Sequence, residues 1–392
     1  MIPTLDDLSP AGKRVLVRVD FNVPLRAGAI VDDTRIRAAL ATLNELLDAG
    51  ATVIAMSHLG RPNGPQEDAR LAPVAERLSE LLGREVRYLR CDGPGSKEQI
   101  AFVAKAPDGS ITLLENTRFD SREKRNDPEL AAILAGFADA YVNDAFGAAH
   151  RAHASTEGVA RLLDSFAGRL MQRELDVLGH LVSAPEKPFK AVLGGAKVSD
   201  KIGVIENLLG VVDELFVGGA MAYTFLKSQG GEVGDSLVEV DKLDVAGDLL
   251  ASAKEAGVSL HLPEDSVCAA EVAAGVETSV HPSDAIPPGL RGLDAGPACI
   301  ASWQRALANA KTVVWNGPLG VFEVPPFDTG TRAIAKTVAA LDAFTVVGGG
   351  DSVAAIAAAG VTDAIDHIST GGGASLAFLE GAALPGVEAL RR

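Results

Sequence analysis

Short apolar runs alternate with helical periodicity along the whole chain. In the first part, Val15-Leu16-Val17-Arg18-Val19 reads as a buried strand, and Thr34 to Ala49 repeats apolar positions at helical spacing until Gly50 stops it. Ala51 to Met56 is a second strand, followed by a helix from about Pro73 to Leu82 and a glycine stop at Gly83. Val86 to Leu89, Ile111 to Leu114 and Ala140 to Asn143 are further strands, with a helix over Pro128 to Phe137 before the last. Strands separated by helices need crossover connections, so the sheet they build is largely parallel.

Phe166 to Val182 is long, helical and mixed in charge, and Pro185 and Pro188 end it. The rhythm restarts at Phe189-Lys190-Ala191-Val192-Leu193, which puts a domain join on that helix. Such a helix serves equally as a hinge or as a static link. In the second half, four apolar strands run straight into glycines and then a helix: Ala191 to Gly195, Leu215 to Gly219, Thr345 to Gly350 and Ile368 to Gly373.

Length and composition sharpen this picture. A chain of 392 residues suits two domains at roughly 100–200 residues each. At 47% hydrophobic it can bury large cores, and with 5% aromatics its packing rests on small side chains, as in α/β proteins. The net charge of −16 sets the surface against nucleic acid and anionic membranes. Cys91, Cys268 and Cys299 show no metal-ligand spacing and read as free thiols of a reducing compartment. The first residues carry acids where a signal peptide carries Lys or Arg, and no apolar stretch reaches about 18–20 residues. The expectation is a cytoplasmic protein with neither membrane nor nucleic-acid partner.

Charge position then changes the reading. In a parallel sheet all strands end on one edge, and ligands bind beyond those carboxyl ends. At or just past the strand ends stand Arg18, His58, Arg61, Arg118, His150 and Arg151, and Arg35 opens the helix after the first strand. Singly these are ordinary surface or hydrogen-bonded groups; sharing one edge of an acidic protein, they form a site for a small, highly anionic ligand. Arginine holds phosphate or carboxylate with a planar fork. Asp20 and Asn22 stand close enough to orient these cations or to accept a substrate hydroxyl.

The glycine junctions of the second half fit a phosphate-bearing ligand, because glycine lets backbone approach it and a helix N-terminus supplies N–H groups. Lys197 and Lys201 follow the first junction at i and i+4, a spacing that places like charges on one helical face. Either a polyphosphate relieves that repulsion or both point into solvent. Asp351, after Gly348-Gly349-Gly350, is either a Mg²⁺ ligand or a helix N-cap. Trp315 to Glu323 offers apolar surface for a base and a carboxylate for ribose, or is an ordinary surface loop. The P-loop GxxxxGK[ST], the strand-linked GxGxxG, the GxSxG elbow and the HExxH helix are all missing, which argues against common NTPase, dinucleotide, hydrolase and zincin designs.

Taken together, the motifs resemble the phosphoglycerate kinase family nearly end to end. They are Arg18-Val19-Asp20-Phe21-Asn22-Val23-Pro24, Ser57-His58-Leu59-Gly60-Arg61-Pro62, Leu114-Glu115-Asn116-Thr117-Arg118 and Asn143-Asp144-Ala145-Phe146-Gly147 leading to His150-Arg151-Ala152-His153. The second half adds Gly194-Gly195-Ala196-Lys197-Val198-Ser199-Asp200-Lys201, Trp315-Asn316-Gly317-Pro318, Gly348 to Ser352 and Ser369 to Ser375.

The resemblance implies two Rossmann-like three-layer α/β domains with mainly parallel sheets, joined by a hinge helix. By that analogy residues 1–167 hold 3-phosphoglycerate, 168–184 form the interdomain helix and 185–379 hold the nucleotide, with the tail 380–392 packing back on the first domain. It implies reversible phosphoryl transfer from ATP to the carboxylate of 3-phosphoglycerate, giving 1,3-bisphosphoglycerate and ADP, in a glycolytic, hinge-bending monomer. Arg18, Asp20, Asn22, Arg35, His58, Arg61, Arg118, His150 and Arg151 would hold the acid. Gly195, Ala196, Lys197, Lys201, Gly218, Gly219, Leu293, Asn316, Pro318, Glu323, Gly349, Gly350, Asp351 and Ser352 would hold ATP or ADP, with Asp351 at Mg²⁺. Ser352 stands where family members often carry Thr, which keeps the hydroxyl.

A carboxylate acceptor is already ionised near neutral pH, given a reference pKa near ~4, so no general base is required. Catalysis then rests on alignment and charge neutralisation. Arg35 and Lys197 are assigned to the transferring group, Lys201 to the nucleotide phosphates, and the N–H groups of Gly371 to Gly373, with Gly372 and Gly373 foremost, to transition-state charge. Two other classes compete. A clamshell anion binder leaves the lysines and glycine junctions unexplained, and a dehydrogenase lacks its dinucleotide fingerprint.

Overall fold

The computed structural model describes residues 2–391. The chain forms two compact units: the residues up to Asp176 together with those from Ala383 on, and Val177–Ala382. The division falls inside the helix Arg169–Ser183.

The first unit is built on six parallel strands in the order Val86–Tyr88, Ile111–Leu113, Thr52–Met56, Arg14–Arg18, Ala140–Asn143, Asp164–Ala167. Val15, Val17, Val53, Ala55 and Val142 are fully buried in its core, the result expected where helices cover a parallel sheet. The last described residues return here. Gly386 donates its N–H to the Ala149 carbonyl at 2.9 Å and accepts from Asn143 Nδ2 at 3.1 Å.

The second unit repeats the plan with the order Ser259–His261, Glu214–Val217, Phe189–Leu193, Thr312–Asn316, Phe344–Gly348, His367–Ile368, again all parallel. Beside it lies an antiparallel sheet with Asp265–Ala269 between Ser279–Pro282 and Arg291–Ala295.

Several local expectations are corrected. The helix read over Thr34 to Ala49 is two helices, Thr34–Ala38 and Leu40–Asp48, with Ala39 as the joint. Phe166 lies on the strand Asp164–Ala167, where pairing with Ala140–Asn143 overrides local periodicity, and the long helix starts only at Arg169. Lys97–Ala104 is a helix capped by Ser96, whose hydroxyl accepts the Gln99 N–H at 3.2 Å, and the apolar pattern does not announce it. Lys197 lies in a loop and Lys201 is the N-cap of the helix Ile202–Leu208, so the two lysines do not share a helical face.

Candidate functional site

On the first sheet, the strand ends bring the predicted cations to one edge. Arg18 is the last residue of a central strand, His58 lies two residues past another, and Arg118 sits in the turn Thr117–Phe119 beyond a third. Arg18 is 1% exposed, so it lies beneath the edge rather than on it. Its Nε donates to Ser155 Oγ at 2.9 Å, Nη1 to the Val19 carbonyl and Nη2 to His58 Nδ1 at 3.0 Å. Asp20 Oδ2 accepts from Arg35 Nη1 at 2.8 Å, and Asn22 Oδ1 accepts from the Gly60 N–H at 2.8 Å. Arg118 donates to the Gly60 carbonyl, and Arg151 Nε donates to His150 Nε2 at 3.0 Å. Arg61 is exposed.

Crowded cations give this edge its electrostatics. Burial, reinforced by Arg18, Arg118, Arg151 and Arg35, holds the His58 imidazole well below its ordinary pKa. Burial and then Arg151 and Arg18 pull the Arg118 guanidinium down to about 10. His150 is lowered by burial and by Arg151, and His153 falls to about 4 for similar reasons. An anion among these groups offsets the mutual repulsion of their cations. Sequence reasoning passed over Glu123 and Ser155, both fully buried here; Ser155 donates its hydroxyl to Glu123 Oε1 at 2.5 Å and its N–H to Oε2 at 3.0 Å.

On the second sheet, the strand ends again share one edge. Gly194 and Gly317 approach so closely that a Cβ on Gly194 would stand 2.6 Å from the Gly317 carbonyl oxygen. These glycines are therefore required by loop packing as well as by any ligand. Gly372 differs: its φ of +52° needs glycine, and nothing lies within 4 Å of where its Cβ would be. That backbone is open to a ligand, with the helix Gly373–Leu379 starting behind it.

A cavity of about 450 Å³ opens on this edge, lined by Gly195, Ala196, Gly219, Leu293, Pro318, Glu323 and Asp351. All seven were expected from the sequence; Tyr223, Arg291 and Asp294 join them without having been read. The volume falls in the range of small-molecule sites. Lys201 is buried and donates to Asn316 Oδ1, and burial draws its ammonium down to about 8 against Asp200, Glu380 and Asp351. Ser352 Oγ accepts the Gly317 N–H at 2.6 Å, tying two of the junction loops together. Gly218 is buried against Leu319 and Trp303, and Lys197 and Gly350 are exposed.

The N-cap of the helix Gly350–Ala358 is Gly349, so Asp351 is not the cap and its exposed carboxylate is left for another partner. Among the described residues no cluster of three or more metal-ligating side chains occurs. A single exposed carboxylate beside glycine-rich loops fits a Mg²⁺ ion that arrives with a phosphate-bearing ligand, since that ion takes few protein ligands. No helix among the described residues is long and apolar enough to cross a membrane.

The family model for phosphoglycerate kinase matches residues 5–382. A phosphoglycerate kinase of Thermus thermophilus is 56% identical over 388 residues, covering 99% of each chain. One from Moorella thermoacetica is 57% identical over 389 residues, covering 99% of this chain and 98% of its own. Among solved structures, phosphoglycerate kinase from Coxiella burnetii superposes with a TM-score of 0.90 at 41% identity, over 100% of this chain and 98% of that one. The Pyrococcus horikoshii enzyme gives 0.87 at 33% identity, over 99% and 98%.

Proposed function

The chain belongs to the phosphoglycerate kinase family, and we propose that its two strand-edge sites divide that family's reaction between them. The activity is ATP:3-phosphoglycerate phosphotransfer to the carboxylate, the reversible glycolytic step yielding 1,3-bisphosphoglycerate and ADP. The crowding of cations at the first edge supports 3-phosphoglycerate as its ligand, because a strongly anionic molecule offsets the repulsion of Arg151 and Arg18 on Arg118, which Glu123 and Asp20 oppose only in part. His58, Arg61, Arg118, His150 and Arg151 hold the acid, Asp20 and Asn22 order the edge, and Arg18 backs it from below.

The cavity of the second unit takes the nucleotide, with apolar surface at Leu293 and Pro318 for the base and the Glu323 carboxylate for ribose hydroxyls. Lys201, Asn316, Ser352 and the loops at Gly195, Gly219 and Gly349 serve the phosphates. Asp351 would hold the Mg²⁺ that arrives with them, and the ion supplies charge neutralisation there. Arg35 and Lys197 attend the transferring phosphoryl, and the N–H groups around Gly372 and Gly373 stabilise its transition-state charge. No side chain need take a proton, since the acceptor is a carboxylate.

Acid and nucleotide sites belong to different units, so in-line transfer requires hinge closure that brings the reactants together and excludes water. The residues 168–184 are the proposed joint. A cytoplasmic enzyme is the reading that three unpaired cysteines support, and a monomer is what membership of the family implies. A coupled assay with 3-phosphoglycerate and MgATP tests the whole. Turnover that survives Arg118→Ala with unchanged KM for the acid contradicts the first site.

A further inference from the structure

Arg18 is a buried cation, and the Glu123 carboxyl group stands one hydroxyl away from it. Ser155 has a single hydroxyl proton. It is spent on Glu123 Oε1 at 2.5 Å, so the contact with Arg18 Nε at 2.9 Å has the guanidinium donating and the hydroxyl oxygen accepting. A guanidinium has no acceptor, so its Nη2 also donates to His58 Nδ1 at 3.0 Å. Nδ1 is then unprotonated, and the imidazole has one remaining donor, Nε2–H. The competing arrangement, Nδ1–H to the Asp20 carboxylate, spans 3.9 Å, beyond hydrogen-bond reach.

We infer that Glu123 and Ser155 are positioning residues for the phosphoglycerate site, acting through Arg18 to hold His58 as a neutral Nε2–H donor. The inference rests on the reading of that edge given above. Every link is buried: Glu123 and Ser155 are 0% exposed, Arg18 1% and His58 6%. Low exposure fixes rotamers and strengthens each bond of the chain. The other charges around His58 are Arg35, Arg118, Arg151 and Asp20, and of these only Asp20 opposes a neutral ring. A neutral donor keeps acid binding independent of imidazole titration, where an imidazolium would lose its charge near neutral pH.

Two-bond ¹H–¹⁵N correlation spectra of the full-length protein report the tautomer directly. At neutral pH, His58 is expected with Nδ1 bare and Nε2 protonated, to remain so well below its ordinary pKa of about 6.5, and to shift when 3-phosphoglycerate is added. An Nδ1–H tautomer or an imidazolium at neutral pH overturns the relay, with no variant needed. Ser155→Ala and Glu123→Gln are expected to raise the KM for 3-phosphoglycerate about tenfold, to leave kcat and the KM for MgATP within about twofold, and to give mixed His58 tautomers. Folded variants with wild-type KM and spectra also overturn it. If 3-phosphoglycerate leaves the wild-type His58 signals unmoved while the tautomer is as expected, the relay stands as structure and its assignment to the acid site falls.

Discussion

Arg35 Nη1 lies 2.8 Å from Asp20 Oδ2, with the arginine side chain 34% exposed and the aspartate 9%. One side of the guanidinium is thereby anchored to the sheet edge while the other remains available to a ligand. Because the guanidinium is a third exposed, solvent screens the pair, and it contributes on the order of 1 kcal/mol to stability. Arg35→Ala is therefore expected to leave the melting temperature within a few degrees. If Arg35 meets the moving phosphoryl, turnover falls by roughly 10²–10³. Near-normal turnover in the coupled assay removes Arg35 from that role.

Lys197 and Lys201 should separate in behaviour, although the sequence presents them as a pair. The exposed Lys197 has little fold to support, so Lys197→Ala should lose most turnover and keep its stability. Lys201 is buried with its ammonium on Asn316 Oδ1, and its pKa is drawn down to about 8. As pH rises through that value the free enzyme loses a positive charge from the edge of the second sheet. The KM for MgATP is expected to climb by about tenfold above pH 8. Lys201→Met should start from a higher KM and show no such inflection; a flat wild-type profile would count against the role.

How much of this was legible beforehand follows the range of the interactions. The strand ends and glycine junctions are local, and Arg18, His58, Asn316 and Gly348 stand at or just past strand ends as the apolar runs foretold. The Asp265–Ala269 and Ser279–Pro282 strands escaped notice, since an antiparallel sheet beside the main one buries its residues irregularly and leaves no clean alternation. Spacing alone misled at Lys197 and Lys201, because five residues of loop carry the same count as a helical turn. Glu123 and Ser155 had no local signal at all: they are 32 residues apart, and Ser155 meets Arg18 across 137.

Acid stability should track the histidines of the first edge. Burial, then Arg18, Arg118 and Arg151, hold His153 down to about 4, and His58 is also lowered. The unfolded chain takes up these protons near its ordinary pKa of about 6.5, while the folded protein resists them. Their contribution is complete above that pH and is lost as pH falls toward 4. In denaturant titrations across this window, the stability of the wild type relative to His153→Gln should drop by about 1–3 kcal/mol. A difference that stays constant with pH would refute the account.

Asp144 carries the opposite sign. Its Oδ1 accepts from the N–H groups of Leu170 at 2.9 Å and Met171 at 3.3 Å, at the start of the helix Arg169–Ser183. Two effects compete at this carboxyl. The helix start and the Thr42 hydroxyl favour the anion, whereas complete burial disfavours it, and burial prevails, raising the pKa to about 7. The folded protein thus keeps a proton that the unfolded chain releases near ~4, so stability falls as pH rises between the two values. Asp144→Asn is neutral throughout and retains an oxygen for both N–H groups. Its stability relative to wild type is expected to improve by about 1–3 kcal/mol from the acid to the neutral end of that window, read by thermal melts. If the difference does not change with pH, the carboxylate is ionised throughout, and the charge at the helix start outweighs the cost of burying it.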